Sequence, residues 1–388
     1  MSGIVLSASV RQNLLALQST ATLLAKTQND LATGNKVNTA LDNPTNFFTA
    51  QGLNNRASDI SNLLDAIGNG VQVLQAANTG ITSLQQLVDS AKSIANQVLQ
   101  TTVGYSPKST VTSNAALGGT SANLVDGVTI KSGDVLAIAA TGGGTATSIT
   151  FGANESLAQL NAALAPNNLS ASLDNSNKLV ITTTNDAASS TIGAVTYTNT
   201  GGGTVTFGAV AAPVADPASQ TIRANLVSQY NNVIAQITTT AQDASFNGIN
   251  LLNGDDLKLT FDETGKSTLN ITGVTYDATG LGLTTLVAGT NFLDNNSANA
   301  TIAKLTNASN ELRTEASTLG SNLSVVQIRQ DFNKNLINVL QTGSTNLTLA
   351  DTNEEAANSQ ALSTRQSIAV SALALANQSQ ASVLQLLR

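Results

Sequence analysis

An uninterrupted helical pattern from about residue 44 to residue 100 constrains this fold more than any other feature of the sequence. At 1.5 Å per residue, such a helix is roughly 80 Å long. No single globular domain needs a rod of that length, so the pattern predicts an architecture built around long helices. Its apolar side chains recur mainly every three, four or seven positions, at Leu53, Ile60, Leu64, Ile67, Val71, Leu74, Ile81, Leu84, Val88, Ile94 and Val98.

Both ends of the chain carry further helical patterns. The first helix is predicted from about residue 4 to Thr33, where Gly34 ends it. Its apolar residues step by 4, 3, 4, 3 and 7 positions, which is the spacing of a coiled-coil seam. They are Val10, Leu14, Leu17, Ala21, Leu24 and Leu31.

The last third of the chain mirrors the first. One helix is predicted from near Ala298 to a break at Gly343, and a last helix from about residue 352 to residue 387. The apolar face of the last helix consists of Val370, Leu373, Leu384 and Leu387. An apolar helix at each chain end cannot bury itself alone. The two ends therefore pair with each other, or pack against neighbouring subunits, and the two arrangements are compatible.

The middle of the chain, about 104–219, changes to short alternating runs of Val, Ile and Thr separated by glycines, which is typical of strands. Strands are predicted at residues 128–130 and 179–182, and a short helix at 155–164. Two similar glycine runs, 142–152 and 201–208, predict two related hairpins.

A second hairpin region is predicted at about 246–285. Asn247-Gly248 and Asn253-Gly254 are type I′ turn signals close to a strand at 257–261. The fold class is thus mainly α with a β insert, in which discontinuous terminal helices pair as a coiled coil or bundle. Three domains are expected: 1–42 with 345–388, 43–105 with 218–344, and an outer β-rich insert at 106–217.

The composition excludes most enzyme classes. The chain has no histidine and no cysteine, so it lacks an imidazole base, a thiolate nucleophile and the usual zinc ligands. Gly265-Lys266-Ser267 is similar to the end of a phosphate-binding loop, but Thr260 stands where that motif needs its first glycine, which favours a simple turn. We therefore expect no catalytic, cofactor-binding or metal-binding residues, and a protein that is not an enzyme.

Charge and hydropathy narrow the partners and the location. The net charge is −7, which argues against nucleic acid and anionic membranes as partners. No segment approaches the roughly 20 apolar residues of a membrane span, and Met1 begins no recognisable secretory signal. Only 11% of the residues are charged, against about 25% in ordinary soluble domains, and such a lightly charged surface does not repel copies of itself.

Four stretches of the chain resemble bacterial flagellins, the family of flagellar filament subunits. Residues 31–34 (LATG) and 40–44 (ALDNP) are similar to a turn near the start of those proteins. Residues 246–254 (FNGINLLNG) are similar to the beginning of their hairpin, and the last stretch, 367–378 (SIAVSALALANQ) continuing to 383–388, is similar to their C-terminal helix. The insert, with 124–127 and 178–182, resembles a small β domain of some flagellins and hook-associated proteins.

The resemblance implies a self-assembling structural subunit of the extracellular flagellar filament, exported without a cleaved signal. It also implies a filament cap protein, a hook–filament junction protein, an export chaperone and the flagellar secretion apparatus as partners. Two alternatives remain open at this point. The chain could be a hook–filament junction protein, which shares the terminal helices, or a surface adhesin whose activity lies in the β insert.

One departure from the family concerns an innate-immune receptor of the Toll-like class. Many flagellins present an arginine and a glutamate to it on the second helix, and Ser90 and Ser93 stand at those positions here. Lys92 cannot reproduce the bidentate geometry of an arginine. The sequence therefore predicts weak or absent activation of the receptor.

Overall fold

The computed structural model describes residues 8–386, except for the side chains of residues 380 and 383–386. Long helices form both ends of the chain, and short strands occupy its middle. In chain order the elements are α1 (Ala8–Thr33), α2 (Pro44–Gln100), β1 (Thr110–Thr112), β2 (Val135–Ile138), β3 (Thr147–Thr150), α3 (Leu157–Leu164), β4 (Leu169–Leu173), β5 (Leu179–Thr183), β6 (Val195–Thr198), α4 (Pro217–Asp243), β7 (Leu257–Thr260), β8 (Thr268–Ile271), α5 (Asn295–Thr348) and α6 (Thr352–Leu386). The mainly helical fold with a small β-rich middle is the one predicted.

The chain divides into two compact units. The first contains the residues up to Gly70, Lys258–Leu269 and the residues from Val325 onward. The second contains Val71–Leu257 and Asn270–Ser324. The boundary between the two units therefore runs through α2 and α5. The three-domain division expected from the sequence places its boundaries elsewhere and stays a prediction.

In the first unit, α1 packs against α6, and α2 packs against α5. The core between α2 and α5 contains Ala57, Ile60 and Leu340. The turn after α1 is tied to the end of α5, since the Lys36 amide donates to the carbonyl of Thr348 at 2.7 Å.

The predicted break at Gly343 is wrong, because α5 continues through this residue to Thr348. A glycine in a helix interior costs only about 1 kcal/mol relative to alanine. The buried contacts of α5 on both sides of Gly343 outweigh that cost: Leu340 lies in the core with α2, and the Ser344 hydroxyl donates to the Ala50 carbonyl at 3.1 Å. The chain instead turns before α6, where the carboxylate of Asp351 accepts the Asn353 amide at 2.9 Å.

The β insert belongs to the second unit and consists of two three-stranded antiparallel sheets, ordered β1-β5-β4 and β3-β2-β6. The short helix α3 was predicted correctly. It begins at a capping box. The Ser156 hydroxyl accepts the main-chain amide of Gln159, and the side-chain oxygen of Gln159 accepts the main-chain amide of Ser156. The core of the insert includes the fully buried side chains Leu124, Ile130, Leu136, Leu160, Leu164, Leu179 and Ile181.

The strand predicted at 179–182 is present as β5, but residues 128–130 do not form a strand. The Asp126 carboxylate accepts the amides of Val128 and Thr129, both at 2.7 Å, and that of Ile130 at 3.2 Å. These are the groups that a strand would donate to a neighbour, so the side chain replaces a sheet partner.

Only one of the two related hairpins forms. The glycines that open the first run, at 142–144, lie between β2 and β3, which pair as an antiparallel hairpin. The second run instead follows β6 and returns along the 128–130 segment, since the amides of Thr204 and Val205 both donate to the Thr129 carbonyl. The similarity of the two runs therefore reflects the glycine turns and not the pairing of the residues that follow.

In the second hairpin region, Asn247 and Gly248 have φ angles of 50° and 83°, and the predicted type I′ turn is confirmed. At Asn253-Gly254 that turn type is wrong, because only Gly254 has a positive φ, at 88°. Asn250 organises a wider loop there, and its side-chain oxygen accepts the Leu252 amide at 2.9 Å.

β7 and β8 pair as a two-stranded sheet. Gly265-Lys266-Ser267 lies in the turn between them, as predicted. The Ser267 amide donates to the Asp262 carboxylate at 2.9 Å, and the Phe261 amide donates to the Ser267 carbonyl at 2.8 Å. The local main chain is therefore held as a hairpin turn and leads into no helix.

The carboxylate of Asp126 gives the insert a pH dependence that can be measured. Partial burial opposes its ionisation, but hydrogen bonds from the Thr129 hydroxyl and from neighbouring amides outweigh this and lower its pKa from 3.8 to about 2. Because the folded-state pKa is depressed, its stabilising contribution is present above about pH 4 and is lost as the pH falls toward 2.

We expect Asp126→Asn to lower the free energy of unfolding at pH 7 by about 1–3 kcal/mol, because charge-assisted hydrogen bonds are weakened. It should also flatten the loss of stability between pH 4 and pH 2. Urea unfolding followed by circular dichroism measures both effects. Asp89→Asn, on the exposed face of α2, removes the same charge as a control, and an equal loss in the two variants would contradict the role of Asp126.

Candidate assembly interface

The seam by which α6 packs on α1 is poor in large apolar side chains. The half-buried residues of α6 step regularly by four and three positions, as in a coiled coil. They are Glu355, Ser359, Leu362, Gln366, Ala369, Leu373 and Ala376. Five of these seven residues are polar or small, so α6 contributes few large apolar side chains to the contact.

α1 shows the matching pattern. Its buried and half-buried positions include Val10, Asn13, Leu17, Thr20, Leu24 and Thr27, which step by 3, 4, 3, 4 and 3. Val10, Leu17 and Leu24 of the predicted seam therefore lie at this contact. Leu14 and Leu31 of the same prediction are instead 38% and 39% exposed.

Several large apolar side chains of the helix pair lie outside the seam and are exposed. In α6, Ile368 is 63% exposed and Leu375 is 69% exposed. Leu15 and Leu23 of α1 are exposed as well. We call this set, together with Leu14 and Val370, the outer apolar face, and its members lie around the helix pair on several sides. Isolated exposed leucines are ordinary in soluble proteins, but six exposed large apolar side chains on one helix pair favour an interaction surface.

The predicted face on α6 is thus divided. Leu373 is half-buried in the seam, whereas Val370 is 52% exposed and belongs to the outer apolar face. Leu384 lies in α6, and its side chain is not among those described. Leu387 lies outside the described residues.

α5 carries a second exposed apolar stripe in the first unit. Val325, Ile328, Phe332 and Val339 step by 3, 4 and 7 positions and are all exposed, whereas the adjacent stripe with Val326 and Leu340 is buried. No charged residue occurs between Lys334 and Asp351. This part of α5 therefore presents an uncharged surface with apolar side chains.

The turn between α1 and α2 displays Leu41, which is 95% exposed. The neighbouring Asp42 carboxylate fixes the turn, because it accepts the amides of Thr39 at 2.9 Å and Asn38 at 3.1 Å and pairs with Lys26 at 3.3 Å. These amides and the Thr39 hydroxyl lower the pKa of Asp42 to about 2. The leucine is thus held outward by an organised turn.

Comparison with known proteins identifies the family. A sequence model described as the bacterial flagellin N-terminal helical region matches residues 5–124, and one described as the bacterial flagellin C-terminal helical region matches residues 302–387. Together they cover more than half of the chain. The chain belongs to the bacterial flagellin family.

Three flagellins of Caulobacter vibrioides are similar to the chain. Flagellin FljM is 33% identical, flagellin FljK 32% and flagellin FljO 30%, each over 164 residues. Each match covers 42% of this chain and 59% of the relative, so the chain spans about three-fifths of the length of these flagellins.

The positions at which the sequence predicts a changed receptor motif lie on α2. Ser90 and Ser93 are exposed, and Lys92 is half-buried between them. The Ser90 hydroxyl donates to the Gln86 carbonyl of its own helix at 2.9 Å. A flagellin receptor contact at this stretch would meet short hydroxyl side chains.

Within residues 8–386, no group of three or more Asp or Glu side chains is placed to hold a metal ion. Over the same residues, no helix is long and apolar enough to cross a membrane.

The apolar spacing of α1 did not predict the polar seam, although the positions of the leucines around the helix contained a signal for it. Leu14, Leu15 and Leu23 lie on different sides of α1, and one helix cannot direct all of them toward a single partner. A heptad pattern drawn through the leucines therefore combined positions from the seam and from the outer apolar face.

The polarity of the seam leads to a stability prediction. Gln366→Leu should strengthen the pairing of α1 with α6 by about 1 kcal/mol, because it adds apolar contact at a half-buried position with little change in helix propensity. Amide hydrogen exchange of α1 in the isolated subunit, followed by mass spectrometry, should show slower exchange. Gln360→Leu, at an exposed position of α6, is the matched control. Equal protection in both variants would place Gln366 outside the seam.

Proposed function

We propose that this chain is a structural subunit that assembles with copies of itself into the extracellular filament of the bacterial flagellum, which serves motility. The observation that carries the proposal is the outer apolar face of α1 and α6, which one copy of the chain leaves in water. Family membership and the names of the relatives support the same function.

Assembly supplies what the single subunit lacks. Burying a leucine or isoleucine side chain completely contributes about 1.5–3 kcal/mol, so a face with several of them favours association strongly. Because this face differs from the exposed stripe of α5, contacts between unlike surfaces can repeat without closing, which generates a helical polymer. The low content of charged residues reduces repulsion between copies.

Further partners follow from the proposed role. A filament subunit of this family requires a secretion apparatus, a cytoplasmic export chaperone, a cap protein at the growing tip and a junction protein at the base. The absence of cysteine suits such export, since no disulfide can form in the chain before it is secreted.

Charges placed on the outer apolar face should prevent polymerisation. Leu375→Asp and Ile368→Asp alter side chains that are exposed in the subunit, so the helix content of the monomer should stay the same. Growth on filament seeds should stop, because a carboxylate would become buried at the contact between copies. Leu14→Asp and Leu373→Asp should have the same outcome, the second with some loss of helix pairing.

Electron microscopy and light scattering of seeded samples measure this growth. Ser148→Asp, on the exposed face of β3 in the insert, is the control and should polymerise normally. Normal filaments from Leu375→Asp would contradict the proposed interface.

Removing the insert separates the filament function from an activity located in the insert. The Ser106 amide donates to the Val214 carbonyl at 2.8 Å, and Tyr105 pairs with Ala215, so the two ends of the insert are adjacent. A short glycine linker between Tyr105 and Ala215 can therefore replace it. We expect this variant to polymerise on seeds. A folded variant that forms no filaments would show that the insert is required for assembly, and short assemblies that never elongate in the full chain would favour a junction protein.

Receptor activation should be weak. Purified filaments dissociated into subunits are expected to give little response in reporter cells carrying the Toll-like receptor for flagellin, because Ser90 and Ser93 supply neither the arginine nor the glutamate. Ser90→Arg combined with Ser93→Glu should raise the response. A response of the unaltered chain equal to that of an enteric flagellin would overturn this prediction.

A further inference from the structure

The β insert leaves the helices after α2 and returns at α4, and the junction is built around one buried arginine. Arg223 of α4 is 1% exposed. Its Nε donates to the Thr102 carbonyl at 2.7 Å, and its Nη1 donates to the Phe292 carbonyl at 2.6 Å. Its Nη2 donates to the carbonyls of Val98 and Thr101, each at 3.1 Å.

These partners join three segments of the second unit. Val98 lies in the last turn of α2, where carbonyl groups lack partners within the helix and carry partial negative charge. Phe292 lies shortly before α5, and Arg223 itself lies in α4. Burial lowers the pKa of Arg223, and the negative charge of Asp294 opposes that effect. The guanidinium therefore fixes the end of α2, the start of α4 and the approach to α5 to one another.

The two connections to the insert are also bonded to each other. The carbonyl of Gly104 accepts the Asp216 amide and the Gln220 side chain, each at 3.0 Å, and the Gly104 amide donates to the Leu293 carbonyl at 3.1 Å. The outgoing and returning chains thus lie side by side, and both are held to the segment before α5.

A second group of contacts lies away from these connections and braces the body of the insert. The Ser189 hydroxyl donates to Oδ2 of Asp294 at 2.6 Å. The Asn296 side chain donates to the Gly142 carbonyl at 3.3 Å. Oδ1 of Asp294 also accepts the Ser297 amide at 3.0 Å, so the same carboxylate caps the first turn of α5 and holds the insert.

Close packing within the insert holds the loop whose carbonyl accepts the Asn296 side chain. Ala187 and Ala188, next to Ser189, are fully buried. A methyl group added at Gly142 would overlap the side chain of Ala187, so this loop has no room for a larger residue. Two separated sets of contacts, one at the connections and one at the side, oppose both bending and rotation of the insert.

We propose that this junction is a rigid joint that holds the insert in one orientation on α2, α4 and α5, with Arg223 fixing the connections and the contacts of Ser189 and Asn296 bracing the insert. The insert is then a fixed extension of the helices and is not tethered by flexible linkers. This inference concerns the single chain, and it holds whether or not the chain polymerises.

The joint can be tested in the full chain by distance measurement between two spin labels. The chain contains no cysteine, so Ser172→Cys on β4 and Gln229→Cys on α4, both exposed, give the two attachment sites. Double electron–electron resonance should give a single narrow distance distribution. Adding Ser189→Ala with Asn296→Ala should broaden the distribution or give it a second population.

The matched control is Ser148→Ala with Asn310→Ala, which alters exposed residues of the same types in the insert and in α5 and should leave the distribution narrow. Circular dichroism establishes that each variant is folded. Arg223→Met should broaden the distribution further. If Arg223→Met fails to fold, the brace variant, Ser189→Ala with Asn296→Ala, still decides whether the joint is rigid. A broad distribution in the unaltered protein, or a brace variant as narrow as the control, would overturn the proposal.

Discussion

The organisation of this molecule depends on where its terminal helix pair, α1 and α6, places its apolar side chains. Coiled coils ordinarily place their large apolar side chains in the seam and their polar ones outside. Here only two of the seven seam positions of α6 are leucines, while Ile368 and Leu375 face outward. The hydrophobic effect, which normally stabilises such a pair internally, is therefore partly left available for the contacts between copies that we propose. Family membership and the proposed polymer both agree with this single arrangement.

Uncharged side chains and a few carboxylates organise much of the irregular main chain. The Asn161 side chain accepts the Ala171 amide at 2.6 Å and donates to the carbonyl of the same residue at 3.0 Å, on the edge strand β4. Asn231 makes the same pair of bonds with Leu286, each at 2.8 Å. An amide side chain can satisfy a peptide group at both ends, so loops remain fixed without added charge.

The sequence predicted well the features that depend on local pattern. The extent of α2 followed from its apolar spacing, and the turn at Asn247-Gly248 followed from its residue types. Predictions failed where a distant or opposing contact decided the outcome. Gly343 did not end α5, because packing against α2 outweighs its poor propensity, and residues 128–130 formed no strand, because Asp126 takes their amides. The sequence did not predict the polar seam for the same reason, because which leucines face a partner helix depends on the position of that helix. No sequence pattern predicted the role of Arg223, because its carbonyl partners come from segments far apart in the chain.

The uncharged stretch of α5 between Lys334 and Asp351 has a consequence for the conditions under which copies could stay together. Dissolved ions weaken attraction and repulsion between charges, and they have little effect on contacts between apolar or neutral polar groups at ordinary concentrations. A contact formed through this surface keeps nearly the same strength from fresh water to sea water. A polymer held in this way tolerates a change of habitat without any adjustment of its subunits.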